Sequence, residues 1–289
     1  MTELIWLNGA VMPLAEARIG VEDRGFQFAD GVYEVIRVYQ GRAFALGEHL
    51  DRLKRSAEGI SLPLPMPLES LSGEIRRLIG RSGLVEGMVY LQLTRGDAAR
   101  NHAFPQCTPT LLFHVRELEP VGEPGRCDGL TLLSVPDERW KKCWIKSIAL
   151  LPNVLAKNAA LAAGADEAVF IDDGIVTECS SSNIFVVKSG RVATHPVGSK
   201  VLGGITREAI IAVAGAAGVA VEERPVTEAE AIMADEVFVA STTREIGWVK
   251  RWNDRALGGR CGPVTLRLHR ALRQDVQDQL LRASTPSPS

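Results

Sequence analysis

The sequence predicts a mixed α and β fold of the α+β class arranged in two domains, and three observations carry that prediction. Apolar residues switch repeatedly between the two-residue alternation of strands and the helical spacing of amphipathic helices. Turn dipeptides such as Asn8-Gly9 separate neighbouring strands closely enough for antiparallel pairing. The stretch from Glu117 to Arg126 holds Pro120, Gly122, Pro124 and Gly125 with little apolar content, which marks a boundary. The expected division is therefore an N-terminal α/β layer domain over 1–117, a linker over 118–126, a C-terminal domain over 127–283 and a disordered tail over 284–289.

In chain order, Leu4 to Leu7 and Ala10 to Met12 form a hairpin across Asn8-Gly9. Val32 to Tyr39, rich in β-branched and aromatic residues, pairs with Arg42 to Leu46 across Gln40-Gly41. From Glu48 the period becomes helical, with Leu50, Leu53, Ala57 and Ile60 on one stripe, until Pro63, Pro65 and Pro67 stop it. A second helix covers Leu68 to Ser82, and strands follow at Met88 to Thr94 and Thr110 to Val115. Beyond the linker come a strand at Leu130 to Ser134, a helix at Asn153 to Ala163, and strands at Glu167 to Ile171 and Asn183 to Val187. Asp173-Gly174 and Ser189-Gly190 supply turns. A helix capped by Thr206 runs to Ala217, Glu236 to Ala240 is a buried strand, and Gly262-Pro263 precedes a final amphipathic helix.

The 289 residues are 46% hydrophobic and 24% charged, ordinary globular usage. Lys plus Arg number 33 against 35 Asp plus Glu, a formal charge of −2, so no global field draws the chain to nucleic acid or anionic lipid. The cysteines Cys107, Cys127, Cys143, Cys179 and Cys261 are odd in number and form no CxxC pair, a pattern of a reducing compartment rather than of metal or disulfide scaffolds. The first residues lack a signal-peptide pattern, and no apolar run approaches the ~18 residues of a membrane span. The expectation is a soluble, cytoplasmic protein without a metal.

Nucleotide loops, zincin motifs and nucleophile elbows are absent, which leaves four candidate segments. Lys146 is a single cation in the apolar run Trp144 to Leu151; such flanks favour a neutral amine able to attack an aldehyde, although an exposed strand lysine would look the same. Thr177 to Asn183 places Glu178 and small polar side chains, among them Ser181 and Ser182, in a bend between apolar strands, either a plain turn or an anion cup. Val201-Leu202-Gly203-Gly204-Ile205-Thr206-Arg207 sets two glycines before a helix start, the arrangement by which backbone amides hold phosphate, or simply a loop. Arg100 and His102 stand two apart, so in an extended segment both face one carboxylate; solvated loop charges are the plainer reading.

Together these segments resemble the fold-type IV pyridoxal-5′-phosphate enzymes, the class that includes D-amino-acid aminotransferases, branched-chain aminotransferases and aminodeoxychorismate lyase. The resemblance runs through Glu22 to Glu34, Glu48 to Leu53, Lys146-Ser147, Asn153 to Lys157, Thr177 to Asn183, Gly203 to Arg207 and Ala240 to Ile246. It implies a larger, barrel-like C-terminal domain that binds the cofactor. It implies that Lys146 is the Schiff-base lysine and proton shuttle, and that Glu178 partners the pyridine nitrogen. Arg52, Ile205, Thr206 and Thr242 resemble the phosphate cradle, with Ser181, Ser182 and Leu202 beside the cofactor. Tyr33, Arg100 and His102 resemble the α-carboxylate trap of D-amino-acid aminotransferases, completed in a homodimer with shared sites. Phe26, Ala29 and Cys179 depart from that subfamily, where tyrosine, glycine and glycine are expected.

The resemblance thus implies ping-pong amino transfer between D-amino acids, of the D-alanine or D-glutamate type, and 2-oxo acids. The rival readings are an L-branched-chain aminotransferase or aminodeoxychorismate lyase on the same scaffold, and a pyridoxal phosphate carrier or regulatory protein without turnover.

Overall fold

The structure, a computed structural model, describes residues 3–123 and 126–282. The expected tail over 284–289 and the Pro124-Gly125 part of the linker lie outside the described residues. The chain forms two compact units, Met1–Pro120 with Ile145–Ala149, and Val121–Trp144 with Leu150–Ser289.

The first unit is a six-stranded sheet carrying two helices. Strands β1 (Leu4–Leu7) and β2 (Ala10–Pro13) form the hairpin across Asn8 and Gly9, both at positive φ as a tight turn demands. A short helix α1 (Arg24–Phe28) is capped by Asp23, whose carboxylate accepts from the Gly25 N–H at 2.8 Å, and ends at Ala29 with φ +54°. β3 (Gly31–Tyr39) turns at Gln40-Gly41 into β4 (Arg42–Ala43). β4 is shorter than the Arg42 to Leu46 strand expected from sequence, because Ala45 takes φ +50° and starts helix α2 (Leu46–Gly59), burying Leu46 in its first turn. α3 (Leu68–Ser82) begins after the proline run and ends at Gly83 with φ +68°. β5 (Gly87–Thr94) and β6 (Thr110–Glu117) complete the order β2-β1-β6-β5-β3-β4, antiparallel throughout. Val32, Ile36, Val38, Val89, Leu91, Leu93 and Phe113 form the sheet's core face, packed with Leu50 and Leu53 of α2 and Leu71, Ile75 and Leu78 of α3. Residues 145–148 join this unit by backbone pairing with β3: the Tyr33 N–H donates to the Lys146 carbonyl at 3.0 Å and the Ile148 N–H to the Gly31 carbonyl at 3.1 Å.

The second unit begins with a parallel crossover, β7 (Leu130–Pro136), α4 (Leu151–Ala162) and β8 (Glu167–Asp172). β9 (Ile175–Cys179) turns back antiparallel to β8 through Asp173 and Gly174, both at positive φ. Thr177 and Glu178 therefore stand on a strand, and only Ser180 to Ser182 make the bend that the sequence suggested for the whole segment; Ile175, Val176 and Thr177 extend readily, and Val176 and Thr177 are buried. Next come β10 (Asn183–Lys188), β11 (Arg191–Thr194) and α5 (Ile205–Ala214). Gly204, not Thr206, is the residue before the first helical turn, and Thr206 lies buried inside it. β12 (Val221–Glu223), β13 (Val226–Thr227), α6 (Glu228–Ile232), β14 (Glu236–Ser241), β15 (Glu245–Trp252), β16 (Arg255–Ala256) and α7 (Pro263–Arg282) follow. The sheet runs β12-β11-β10-β14-β15-β7-β8-β9-β13, with β16 beside β15. One face, with Phe185 and Phe238, buries Ile210 of α5 and Leu268 and Leu272 of α7. The molecule is thus the mixed helix-and-sheet fold the sequence predicts, with a curled ten-stranded sheet in the second unit. Among the described residues no helix is long and apolar enough to cross a membrane, and no side-chain cluster could hold a metal ion.

Candidate active site

In the first unit, helix α2 places His49, Arg52 and Ser56 on one face by their helical spacing. Arg52 donates through Nε and Nη2 to Glu34 Oε1 and Oε2 at 2.8 and 2.7 Å, and His49 Nδ1 stands 2.7 Å from Glu34 Oε2. Burial alone would raise the Glu34 carboxyl, but the Arg52 charge and the hydrogen bonds from Arg52 and His49 outweigh it and hold it at about 2. Burial also pushes the His49 imidazole below its ordinary value, against the pull of Glu34. Further along the same face, Ser56 Oγ accepts from the Lys146 peptide N–H at 3.1 Å. α2 thereby seats both the Arg52 guanidinium and the Lys146 backbone. Lys146 Nζ lies 4.1 Å from the centre of the Tyr33 ring, a cation–π contact. Tyr33 stacks on Tyr90 with centroids 5.9 Å apart, and burial, helped by Tyr33, pushes the Tyr90 phenol up to about 12.

Arg100 and His102 are exposed and meet at Phe28. The Arg100 guanidinium lies 4.3 Å from the ring centre and the His102 ring 5.4 Å from it. The loop is bent rather than extended, so the two side chains converge on an aromatic ring instead of by strand alternation. Arg24 fixes this arrangement from below: its guanidinium lies 4.8 Å from the Phe28 centre, pairs with Asp30 at 2.8 Å and donates to the Asn101 carbonyl.

In the second unit, Glu178 stands near the end of β9, buried, and its carboxylate is enclosed by donors. Arg139 Nη1 donates to Oε1, while Asn183 Nδ2 and the Leu202 N–H donate to Oε2 at 3.2 and 3.1 Å. Arg139 also grips Asp137 through Nε and Nη2 at 2.9 and 2.8 Å and lies 4.2 Å from the centre of the Phe170 ring. Burial opposes the Arg139 charge, yet the two carboxylates raise it, and Arg139 in turn holds Asp137 below the usual carboxylate range despite its burial. Arg139 is thus shared between two buried carboxylates, Asp137 and Glu178.

Asn183 also ties the glycine turn in place by donating to the Leu202 carbonyl at 2.9 Å. A Cβ on Gly204 would lie 2.0 Å from Asn183 Oδ1, so the backbone itself must come this close. The first turn of α5, Ile205 and Thr206, follows with no side-chain cap on its N–H groups, a ready place for a phosphate. Thr242 lies in the turn joining β14 to β15. The serine bend is held by the buried Glu167, whose Oε1 accepts from the Ser181 N–H and hydroxyl at 2.9 and 2.8 Å. Ser182 is buried beside it. A buried carboxylate able to face a ring cation and an uncapped helix start able to hold a phosphate fit the two ends of a phosphorylated pyridine aldehyde.

Of the residues singled out from sequence, Lys146, Arg52, Tyr33, Arg100 and His102 belong to the first unit. Glu178, Ser181, Ser182, Leu202, Ile205, Thr206 and Thr242 belong to the second. The structure pairs Lys146 with Tyr33, Arg100 with His102 through Phe28, and Glu178 with Leu202. Sequence reasoning missed Arg139, Asp137, Asn183, Glu34 and Tyr90. Glu34 alone left a usable signal, an acid at a core-facing position of a β-branched strand.

The sequence profile of the amino-transferase class IV family matches residues 31–252. The chain is 40% identical over 277 residues to a D-alanine aminotransferase of Listeria monocytogenes serotype 4b, covering 94% of this chain and 96% of that protein. It is 39% identical over 274 residues to a D-alanine aminotransferase of Bacillus licheniformis, with the same coverages of 94% and 96%. Its fold is similar to a crystal structure of the T.th. branched-chain amino acid aminotransferase with pyridoxamine 5′-phosphate, at TM-score 0.89 and 30% identity over 96% of this chain and 95% of that one.

Proposed function

The chain belongs to the amino-transferase class IV family and is a transaminase, and we propose that it moves amino groups between D-amino acids and 2-oxo acids with pyridoxal 5′-phosphate as cofactor. The geometric observation that carries the cofactor reading is the buried Glu178 carboxylate, fixed in place by Arg139, Asn183 and the Leu202 N–H. The D-amino-acid reading rests on the greater identity to the D-alanine enzymes than to the branched-chain structure.

When bound, the cofactor supplies an aldehyde for the amino group and a ring that draws electrons from the substrate Cα. Lys146 is the residue that would hold the aldehyde, and its Nζ takes the Cα proton in one direction and returns it in the other. Glu178 would keep positive charge on the ring nitrogen, with Arg139, Asn183 and the Leu202 N–H fixing the carboxylate. Arg52, the Ile205 and Thr206 amides and the Thr242 hydroxyl would hold the phosphate, with Ser181 and Ser182 lining the cofactor. Tyr33, Arg100 and His102 hold the substrate carboxylate and so choose which face of Cα presents its hydrogen. The trap is completed in a homodimer, and the five free thiols accord with a cytoplasmic enzyme.

Incubation with D-alanine and 2-oxoglutarate should yield pyruvate, with no oxo acid formed from L-leucine. Turnover of L-leucine alone would replace this reading with the branched-chain one. A visible cofactor band that no amino donor changes would indicate the carrier. Borohydride reduction and peptide mapping should find the pyridoxyl label on Lys146.

A further inference from the structure

Glu34 occupies a position where the strand pattern calls for an apolar residue. It lies between Val32 and Ile36 on the core face of β3, and all three are 0% exposed. Burying an ionised carboxylate there is costly, and it is tolerated where the group is paired and hydrogen-bonded. Its partners are one guanidinium and one imidazole. Arg52 engages both carboxylate oxygens, a fork-to-fork pair that fixes the plane of the guanidinium, and His49 binds Oε2 from one helical turn earlier. A flexible arginine is thus converted into a rigid one, with its direction set by the sheet.

We propose that Glu34, steadied by His49, is the positioning residue that aims Arg52 at the phosphate of the cofactor. The proposal rests on the assignment of Arg52 to the phosphate. Glu34 touches neither substrate nor cofactor in this role, and it acts through orientation. It also partly neutralises Arg52, so a purely electrostatic account predicts that removing its charge tightens phosphate binding, whereas orientation predicts the reverse.

The test compares the full-length apoprotein's affinity for pyridoxal phosphate with its affinity for pyridoxal, which lacks the phosphate, by absorbance titration. Glu34→Gln keeps the volume and one acceptor oxygen. It should weaken pyridoxal phosphate binding by about tenfold, the lower end of what losing an outer partner costs at metal ligands, and leave pyridoxal binding unchanged. Inorganic phosphate should compete correspondingly less well. Equal weakening for both ligands would mean a general structural role and overturn the proposal, as would tighter phosphate binding. Arg52→Met is the control for the underlying assignment. If the preference for pyridoxal phosphate over pyridoxal survives in Arg52→Met, Arg52 does not hold the phosphate, a failure distinct from loss of that preference in Arg52→Met with an unaffected Glu34→Gln.

Discussion

Replacing Arg139 by methionine removes the one guanidinium that Asp137 and Glu178 share. The side chains of Asp137, Arg139 and Glu178 are 0, 5 and 10% exposed, so water cannot replace the lost contacts. Glu178 keeps Asn183 and the Leu202 N–H, and Asp137 keeps the Thr177 hydroxyl at 2.9 Å. Neither set supplies positive charge. Removing one member of a buried ion pair costs about 3–5 kcal/mol, and a Coulomb term of about 4 kcal/mol at 4 Å and an effective dielectric constant near 20 agrees with it. In the native protein Arg139 holds Asp137 below the usual carboxylate range, so this stabilisation is present above the unfolded value and is lost as pH falls through the lower folded one. In the variant burial acts unopposed by the Arg139 charge and raises the folded Asp137 carboxyl. The variant then recovers as pH falls through that raised value. Urea unfolding followed by far-ultraviolet circular dichroism should show a deficit of about 4 kcal/mol at pH 7.5 that narrows by pH 5. Arg139→Lys, which keeps charge but loses the fork, should lie between the two. A deficit below about 1 kcal/mol, the range of an exposed pair, or one that does not narrow with acid, would mean that Arg139 does not hold a buried ion pair together.

Other expectations concern single positions. Lys146→Ala should bind no cofactor covalently and show no amino transfer, checked by visible absorbance and pyruvate release. Arg100→Ala should raise KM for D-alanine more than it lowers kcat if the guanidinium holds the substrate carboxylate, which steady-state kinetics will read. Ala29 stands at φ +54°, a conformation glycine adopts without strain, so Ala29→Gly should stabilise the fold by about 0.5–1 kcal/mol in urea unfolding. The His49 imidazole is depressed by burial, so the unfolded chain takes up its proton first and stability should begin to fall as pH drops below about 6.5. Glu34, held at about 2, adds a second loss between about 4.5 and 2 as its carboxyl protonates. Denaturant midpoints across that pH range will test both.

Local rules read much of this protein from its sequence alone. Helix α3 spans Leu68 to Ser82 as its apolar spacing and flanking prolines require, and the first hairpin closes at Asn8-Gly9. Lys146, Glu178 and the glycine turn stood out in the sequence as candidates only, since an exposed strand lysine, a plain turn or a simple loop would leave the same patterns, and it was their order along the chain that singled them out. Shorter signals failed where a neighbour decided the outcome: Leu46 left its strand because Ala45 turned to positive φ, and Thr177 and Glu178 joined a strand because β8 offered them a partner. Arg139 reaches Glu178 across 39 residues and Arg52 reaches Glu34 across 18, separations that no periodicity records. Such pairs form only when tertiary packing buries both partners, because an exposed arginine gains little from any one carboxylate and a buried one must find its own. Residue types and their spacing name the groups able to do chemistry, while packing in three dimensions selects which of them are aimed, paired and kept dry.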